Sequence, residues 1–600
     1  MSDRAPVLPA PPSPIAEACR RFGDNYPSVV SLWPLRTAGV LVALGQGAYV
    51  RWILAQANYG SPFVAWPFVV ASVFSFLTVA LTVVCNWQRS IPTHRPVRHG
   101  DEPEVAIIVP TCGEPVPMVL RTLRSVLDQD WPADRLTIIV SDDGHDENLM
   151  RALNDYPVIY HSPPPRFAPG RDGAAKAGNL NSALARLDAD HPSIDFVETR
   201  DADDEVGSHH FLRETIGQLV ADARLAYVQT IKEAQVSAGD PFNNRDPIYF
   251  RSNLLAKNAA NAVFPCGSGL VWRRSALKDI GNFPTWNLVE DLQSGVEALR
   301  RGWRGLYLPI VGAVGQVAPE DVPNVYKQRG TWAVDTVRLM FWGDQRGMTL
   351  RQRAHFGSMF FSYVISLASL VYLASVVASF LGSSPVNDRS LWGVLYVSAF
   401  VVADELFLQA SNAPFHDRRK RQRGKLMTSL RLRMFWTGLT PVYAKATLLA
   451  VTGGRNNKPV YKVTRKHHDI RWHWRSTIPH FASIALVVGA ALYGFEQRTM
   501  RNTGQIVVTT YFGTMYVILL GGFAQRGRHG LARHHPVILA KMLHCPKVVL
   551  LAAIGRSAVP RDRVIRFATR IATRIATVRN PEYFVRLPPT TDSNVIYRVE

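Results

Sequence analysis

The stretch Ile194-Asp195-Phe196-Val197-Glu198-Thr199-Arg200-Asp201-Ala202-Asp203 decides how the chain is read. Its first six residues are a short run rich in β-branched and aromatic side chains, the composition of a buried strand. Directly behind it stand two carboxylates at i and i+2. Such a pair at a strand end can share one divalent cation, because hard cations such as Mg²⁺ take oxygen ligands and often complete their shell with substrate phosphates. The plainer alternative is an acidic pair that only solvates a loop. The surroundings favour the first reading. Glu104–Pro110, Leu136–Ser141 and Leu225–Thr230 are further strand-like runs, each ending in a loop rich in Asp, Gly or Thr, with helical stretches between them. This alternation predicts an α/β domain with a mostly parallel sheet over residues 88–353, with ligands at the C-terminal ends of the strands.

On both sides of that domain the chain changes in kind. Six apolar stretches approach the roughly 20 residues that cross a bilayer. They lie at Leu35–Ala55, Pro62–Trp87, Phe356–Leu381, Leu391–Gln409, Thr477–Phe495 and Gln505–Ala524. Arg51 interrupts the first. Asp404 and Glu405 stand near one end of the fourth, where carboxylates mark a wet or packed interior or simply lie past the interface. The connections near Asn58 and Gly382 are poor in Lys and Arg, whereas Arg418–Arg433, Arg455–Arg475 and Arg526–Arg533 are rich in them. The positive-inside rule puts these basic segments, both termini and the α/β domain in the cytoplasm. The expected order is a cytoplasmic tail at 1–34, two transmembrane helices at 35–87, the soluble domain at 88–353, two transmembrane helices at 354–410, an interfacial segment at 411–475, two transmembrane helices at 476–525 and a basic amphipathic tail at 526–600. Within that tail Arg561–Arg579 places Val564, Ala568, Ile571, Ile575 and Val578 on one stripe, a helix that lies on the inner leaflet or packs on its own protein. Arg418–Val451 is similar, basic first and then apolar.

Bulk composition agrees. A net charge of +21 on a chain that is 47% hydrophobic calls for anionic partners. The basic residues track the apolar segments, so a lipid bilayer is the expected partner and nucleic acid is disfavoured. Cys19, Cys85, Cys112, Cys266 and Cys545 form no CxxC pair, which excludes a recognisable zinc or disulfide framework. The first 34 residues are polar and proline-rich, so a secretory signal peptide is not expected.

Five further segments carry candidate chemistry. Ser141-Asp142-Asp143-Gly144 follows a strand, where a carboxylate can accept hydrogen bonds from a uracil ring or ribose. Lys176-Ala177-Gly178-Asn179-Leu180-Asn181 offers a point charge to a phosphate or base and a glycine for close approach, or else is a basic loop capping a helix. Phe264-Pro265-Cys266-Gly267-Ser268-Gly269 is a turn of small residues that brings backbone near something. Val289-Glu290-Asp291 opens a helix; its carboxylate is a natural base for a sugar hydroxyl, or an acidic pair favoured by the helix dipole. Gln328-Arg329-Gly330-Thr331-Trp332 precedes the third apolar span, and its tryptophan can stack on a sugar ring or anchor at the interface. Asp204 and Glu205 are expected to be solvated, and His209-His210 to start a helix.

Taken in order, Asp-Asp-Gly, Lys-Ala-Gly-Asn-Leu-Asn, Asp-x-Asp, Cys-Gly-Ser, Glu-Asp and Gln-Arg-x-x-Trp resemble the processive family-two glycosyltransferases of the bacterial cellulose synthase type. Val105–Pro115 resembles that family's opening strand. Tyr461-Lys462-Val463-Thr464-Arg465-Lys466 resembles its gating loop, Phe-x-Val-Thr-x-Lys, with tyrosine for phenylalanine. The resemblance spans residues 35–525. It implies a GT-A α/β domain inserted in an α-helical multi-pass membrane domain, and an inverting mechanism. UDP-glucose would meet Thr111, Glu114, Asp142, Asp143, Lys176, Asp201, Gln328 and Arg329. Asp201 and Asp203 would bind Mg²⁺ or Mn²⁺. Asp291 would be the general base, and Cys266, Glu290 and Trp332 would hold the end of the growing β-glycan. Tyr461, Val463, Thr464 and Lys466 would form the gating loop, and the β-glucan would leave through the membrane region. Accessory subunits and oligomeric state stay open.

Two positions depart from the family pattern: Thr331 where it has an arginine before the tryptophan, and Val289 where it has a threonine. These leave sugar, linkage and processivity open. A C-terminal PilZ-type domain binding cyclic di-GMP is not expected, because its signature glycine does not occur after Gly555. Two other enzyme readings stand beside the β-glucan synthase: a non-processive UDP-sugar transferase to a lipid carrier, and a synthase of another polymer such as chitin or hyaluronan. A channel or scaffold with an inactive domain is a fourth, disfavoured by Asp201, Asp203 and Asp291.

Overall fold

The computed structural model describes residues 31–57, 61–166, 168–169, 171–235, 242, 244, 249–319, 321–386, 392–412, 423–457, 473–500 and 502–526, with two short strands at 584–585 and 597–598. The described chain opens with two long helices, α1 (Trp33–Gln56) and α2 (Pro62–Cys85). No charged residue occurs in α2, and its proline at the first turn forfeits only an N–H that has no helical partner. The hydroxyls of Ser72, Thr78 and Thr82 donate to the carbonyls four residues back at 2.8, 2.9 and 2.8 Å. In an apolar setting that satisfies them without water.

The α/β domain then runs β1 (Val105–Thr111), α3 (Val116–Leu127), β2 (Leu136–Asp142), β3 (Ile159–His161), α4 (Ala175–Asp190), β4 (Phe196–Thr199), β5 (Glu205–Val206), α5 (Phe211–Ala221), β6 (Leu225–Gln235), β7 (Leu270–Arg273), α6 (Glu290–Arg300) and β8 (Arg304–Val317). All four strands expected from sequence are present; β4 starts two residues late, and β6 runs on to Gln235. The sheet order is β3-β2-β1-β4-β7-β6-β8-β5. Pairings β1/β2, β1/β4, β2/β3 and β6/β8 are parallel, while β7 opposes both its neighbours and β5 opposes β8. The sheet is therefore mostly parallel, as expected.

Every residue of β1 is buried, the mark of a strand covered on both faces. Ala106 and Ile108 pack with Leu180 and Leu184 of α4. Val105, Ile107 and Val109 pack with Val119 and Leu123 of α3 and with Leu212 and Ile216 of α5. Each large aliphatic buried this way contributes about 1.5–3 kcal/mol.

Beyond the sheet lie α7 (Val322–Trp342), α8 (Leu350–Phe380), α9 (Trp392–Asn412), α10 (Arg423–Thr452), α11 (Ile478–Glu496) and α12 (Thr503–Arg526). Among the described residues six helical segments are long and apolar enough to cross a membrane: Trp33–Gln56, Pro62–Cys85, Leu350–Phe380, Trp392–Ser411, Trp474–Glu496 and Thr503–Gln525. They coincide with the six expected spans. The helix α7 joins the two regions, its Val325, Val334 and Val337 packed with Phe435, Leu439, Tyr443 and Ala446 of α10 and with Phe523 of α12. The segment expected to be interfacial thus has one face buried in protein, while Leu448 and Leu449 on α10 are exposed. Asp404 and Glu405 are half-buried and paired: Arg433 Nη2 stands 2.6 and 3.3 Å from their carboxylates, and Ser429 donates to Glu405 at 2.5 Å. The gating-loop residues Tyr461, Val463, Thr464 and Lys466 and the helix expected at 561–579 lie outside the described residues, as do the N-terminal tail to residue 30 and residues 527–583.

Candidate active site

Neighbouring parallel strands bring their C-terminal ends together, and the register pairs Thr111 of β1 with Asp142 of β2. Thr111 Oγ1 donates to Asp142 Oδ1 at 3.0 Å. Asp142 also accepts from the N–H groups of Gly144 (2.9 Å) and Asp146 (2.7 Å) and from the Tyr160 hydroxyl (3.0 Å). Fully buried, this carboxylate shapes the turn. The next residue, Asp143, meets Arg166 Nε at 2.8 Å and Arg171 Nη1 at 2.6 Å. Glu114 accepts from the Cys112 N–H at 2.6 Å. Of the eight residues expected to meet the donor, Thr111, Glu114, Asp142 and Asp143 thus share one strand-end corner, whereas Lys176 and Asp201 meet in a second cluster and Gln328 and Arg329 lie on α7. Asn179 of α4 holds that corner from behind, donating to the carbonyls of Ser141 (2.8 Å) and Thr111 (3.3 Å). Beside it, a Cβ on Gly178 would lie 1.9 Å from the Gly173 carbonyl oxygen, so only glycine fits.

A second cluster forms where α4, the loop after β4, β6 and the start of α6 converge. Lys176 Nζ lies 2.5 Å from Asp201 Oδ1, 2.9 Å from the Gly267 carbonyl and 3.4 Å from Glu290 Oε1. Lys232 of β6 reaches Asp201 Oδ2 at 2.6 Å and Asp204 Oδ2 at 3.1 Å. Each oxygen of Asp201 thus faces an ammonium group. Burial alone would raise the Asp201 pKa, but Lys176 and Lys232 outweigh it and hold this carboxyl well below the usual range. Burial likewise disfavours the Lys176 charge, yet Asp201 and Glu290 leave its pKa raised.

Two residues of this cluster correct the sequence reading. Asp204 was expected to be solvated and is fully buried, its pKa pushed up first by that burial. Glu205 is buried as well, because its two-residue strand pairs antiparallel with β8 and draws the loop into the sheet. Lys232 was not foreseen, although a lysine just after the apolar run Leu225–Ile231 is a visible signal. The same is true of Gln229, which organises the Cys-Gly-Ser turn. Its Oε1 accepts from the Cys266 N–H at 2.7 Å and its Nε2 donates to the Ser268 carbonyl at 3.0 Å. Ser268 Oγ in turn accepts from the Asp201 N–H at 3.1 Å. Gly267 at the tip has φ +81°, and a Cβ there would sit 3.2 Å from Lys176 Nζ and 3.3 Å from Asp291 Oδ2.

Asp291 occupies the first turn of α6. Burial, then the adjacent Glu290 charge, pushes its carboxyl up to about 7, with Lys176 and Lys232 offsetting only part of the rise. A carboxylate poised near neutral pH suits a general base. Cys266, with Tyr249 Oη 3.7 Å from its sulfur, is pushed up to about 12 by burial and then by Asp291, so it is a neutral thiol. On α7 the Arg329 guanidinium stacks 4.7 Å from the Trp332 ring and 5.1 Å from Phe435, with Gln328 beside it half-buried. Thr331 donates to the Lys327 carbonyl of its own helix at 2.8 Å.

Asp201 and Asp203 are the residues that could hold a divalent cation. The position selects for positive charge, as two ammonium groups on Asp201 demonstrate. Among the described residues no three His, Cys, Asp or Glu side chains cluster as a ligand set. The remaining ligands would be water and substrate oxygens, a shell that Mg²⁺ commonly adopts.

Residues 103–334 match the family model described as Glycosyltransferase like family 2. This region therefore resembles a family-two glycosyltransferase domain. More particularly, the chain is similar to cellulose synthases: it is 29% identical over 362 residues to the UDP-forming cellulose synthase catalytic subunit of Komagataeibacter sucrofermentans, covering 56% of this chain and 46% of that protein. It is 27% identical over 327 residues to the corresponding subunit of Xanthomonas axonopodis pv. citri, covering 52% and 41%. The match thus spans less than half the length of these relatives. Among solved structures, a mannosyltransferase from Pyrobaculum calidifontis in complex with GDP-Man and Mn²⁺ aligns with TM-score 0.44 and 18% identity, over 64% of this chain and 99% of that one.

Proposed function

We propose that the protein is an inverting, processive glycosyltransferase of the inner membrane. It polymerises glucose from UDP-glucose into a β-glucan and passes the product out between its membrane helices, with the α/β domain on the cytoplasmic side. One observation carries this reading: a carboxylate near neutral pKa, Asp291, and the cationic pair on Asp201 meet at the tip of the Cys266–Gly269 turn.

The chemistry follows from that geometry. The acceptor hydroxyl gives its proton to Asp291 as its oxygen attacks the anomeric carbon from the face opposite the diphosphate. The bond to the diphosphate breaks and its electron pair leaves with UDP. Lys176 and Lys232 are placed to neutralise the charge that develops there. A divalent cation, Mg²⁺ or Mn²⁺, held by Asp201 and Asp203 would supply further neutralisation of the leaving group. Trp332 offers a flat, half-exposed surface to the acceptor sugar, and Cys266 a neutral, close-packed contact. The corner of Thr111, Glu114, Asp142 and Asp143 fits the uridine end, with Asp143 and its two arginines as the polar face.

The test is incorporation of labelled glucose from UDP-glucose into polymer by purified protein in detergent with Mg²⁺ or Mn²⁺, followed by digestion with linkage-specific glucanases. Long product cut by one glucanase is expected. Short, lipid-extractable product would replace this reading with transfer to a lipid carrier, and polymer from another UDP-sugar would replace glucose as the donor.

A further inference from the structure

We propose that Asp335 and Arg338 of α7 are positioning residues for the base, fixing the peptide 286–289 from which Asp291 is presented and tying it to the helix that carries Trp332. The inference rests on the reading of Asp291 as the general base.

Val289 is the N-cap of α6, and a valine has no oxygen with which to cap a helix locally. The two N–H groups that lead into the helix find their acceptor on another helix. Asp335 Oδ1 accepts from the N–H groups of Leu288 at 2.9 Å and Val289 at 3.0 Å. The Asp335 carbonyl accepts from Asn287 Nδ2 at 3.0 Å. One helical turn on, Arg338 Nη1 donates to the Trp286 carbonyl at 2.8 Å and to Asn287 Oδ1 at 3.2 Å, with its guanidinium 4.1 Å from the Trp286 ring. Its Nη2 and the Trp286 indole N–H both donate to the Arg455 carbonyl, at 2.8 and 3.2 Å. Asp335 and Arg338 are 3% and 1% exposed, so neither is placed to serve solvent. Four successive residues leading to Glu290-Asp291 are thus held from α7.

Asp335 also stands three residues after Trp332, on the neighbouring position of one helix face. An acceptor sugar that shifts α7 therefore shifts the base through hydrogen bonds rather than through bulk packing. Neither residue bonds to Lys176, Lys232 or the Asp142 corner, so neither is itself a donor contact.

The experiment compares Asp335→Ala with Asp335→Asn. Asparagine keeps an oxygen for the two N–H groups; alanine strands them. Alanine should lower kcat by about 10- to 100-fold while leaving the KM for UDP-glucose and the Kd for UDP unchanged, as misplacement of a reacting group does. Its acid limb should move to lower pH, because a freed loop admits water to Asp291. Asparagine should restore most of the rate and the limb. Amide hydrogen exchange over residues 286–292 should speed up in Asp335→Ala and not in Asp335→Asn. Exchange reads the positioning even if the wild type makes no glucan, which separates failure of this inference from failure of the functional reading. A folded Asp335→Ala protein with wild-type exchange, or with kcat within about twofold of wild type, overturns the proposal. If alanine does not fold, Arg338→Lys, which loses the ring stacking and the forked bonds, takes its place under the same readouts, with UDP binding as the check on folding.

Discussion

The pH profile of transfer follows directly from the Asp291 environment. Burial and Glu290 hold its carboxyl near 7. The base form is the ionised one, so activity should be lost as pH falls through that value. With a midpoint of about 7, about 9% of Asp291 is ionised at pH 6 and about 91% at pH 8, a rise of about tenfold in kcat/KM. A carboxylate left at its ordinary value would give a flat profile there. Asp201 is held ionised well below this range and Lys176 charged above it, while burial raises Asp204 and Asp335 as well, so the Glu290 variant below is what assigns the limb to Asp291. Lys257, pushed down to about 8 by burial, would add at most a separate fall on the alkaline side. Replacing Glu290 by Gln removes the second cause of the rise and keeps the lowering influence of Lys176 and Lys232, so the limb should move down by on the order of one unit. The assay is the initial rate of labelled glucose incorporation at limiting UDP-glucose, buffered across pH 5.5–8.5 with about constant ionic strength. A flat profile between pH 6 and 8, or an unmoved limb in Glu290→Gln, would refute the assignment of the base and of its causes together.

Other outcomes follow from the same pocket. Lys232→Met should lower kcat by about tenfold or more, since removing one preorganised charge partner of a leaving group costs about that or more. Equal rates in single-turnover measurements would show that Lys232 does not face the diphosphate. Gly178→Ala should lower thermal stability in detergent by about 1–3 kcal/mol, because its Cβ would fall on the Gly173 carbonyl at 1.9 Å, with backbone on both sides. An unchanged melting temperature would argue against that contact. Chelation should suppress transfer and added Mg²⁺ or Mn²⁺ restore it, with Asp203→Asn shifting the required concentration upward in a binding titration. Full activity after exhaustive chelation would assign the leaving-group charge to the lysines alone.

Much of this was legible along the chain because the signals are local. Strand-like runs ending in acidic loops foretold β1, β2, β4 and β6, since each is short, β-branched and buried. The six spans were set by length and hydropathy alone. Candidate residues such as Lys176, Asp201 and Asp291 stood out because strand ends and helix starts are where polar chemistry survives next to a core. What escaped depends on which distant strands become neighbours. Lys232 and Gln229 reach Asp201 and the Cys266 turn only because β6 lies one strand removed from β4, across an antiparallel β7. Asp204 is buried only because β5 pairs with β8, a partner more than 100 residues away.

The Asp142-Asp143 pair carries the argument one step further. Two identical side chains stand side by side, and nothing in their local sequence tells them apart. The register Thr111↔Asp142 turns one toward four backbone and hydroxyl donors, two in its own loop and two on neighbouring strands, while the other meets two arginines. Partners and task are thereby divided by a pairing rule and not by residue type. The same holds for Asp201 and Asp291, one pushed down by ammonium neighbours and the other up by burial and a like charge. A pocket that needs a permanent anion and a proton acceptor at one pH can build both from aspartate, provided the fold chooses their neighbours.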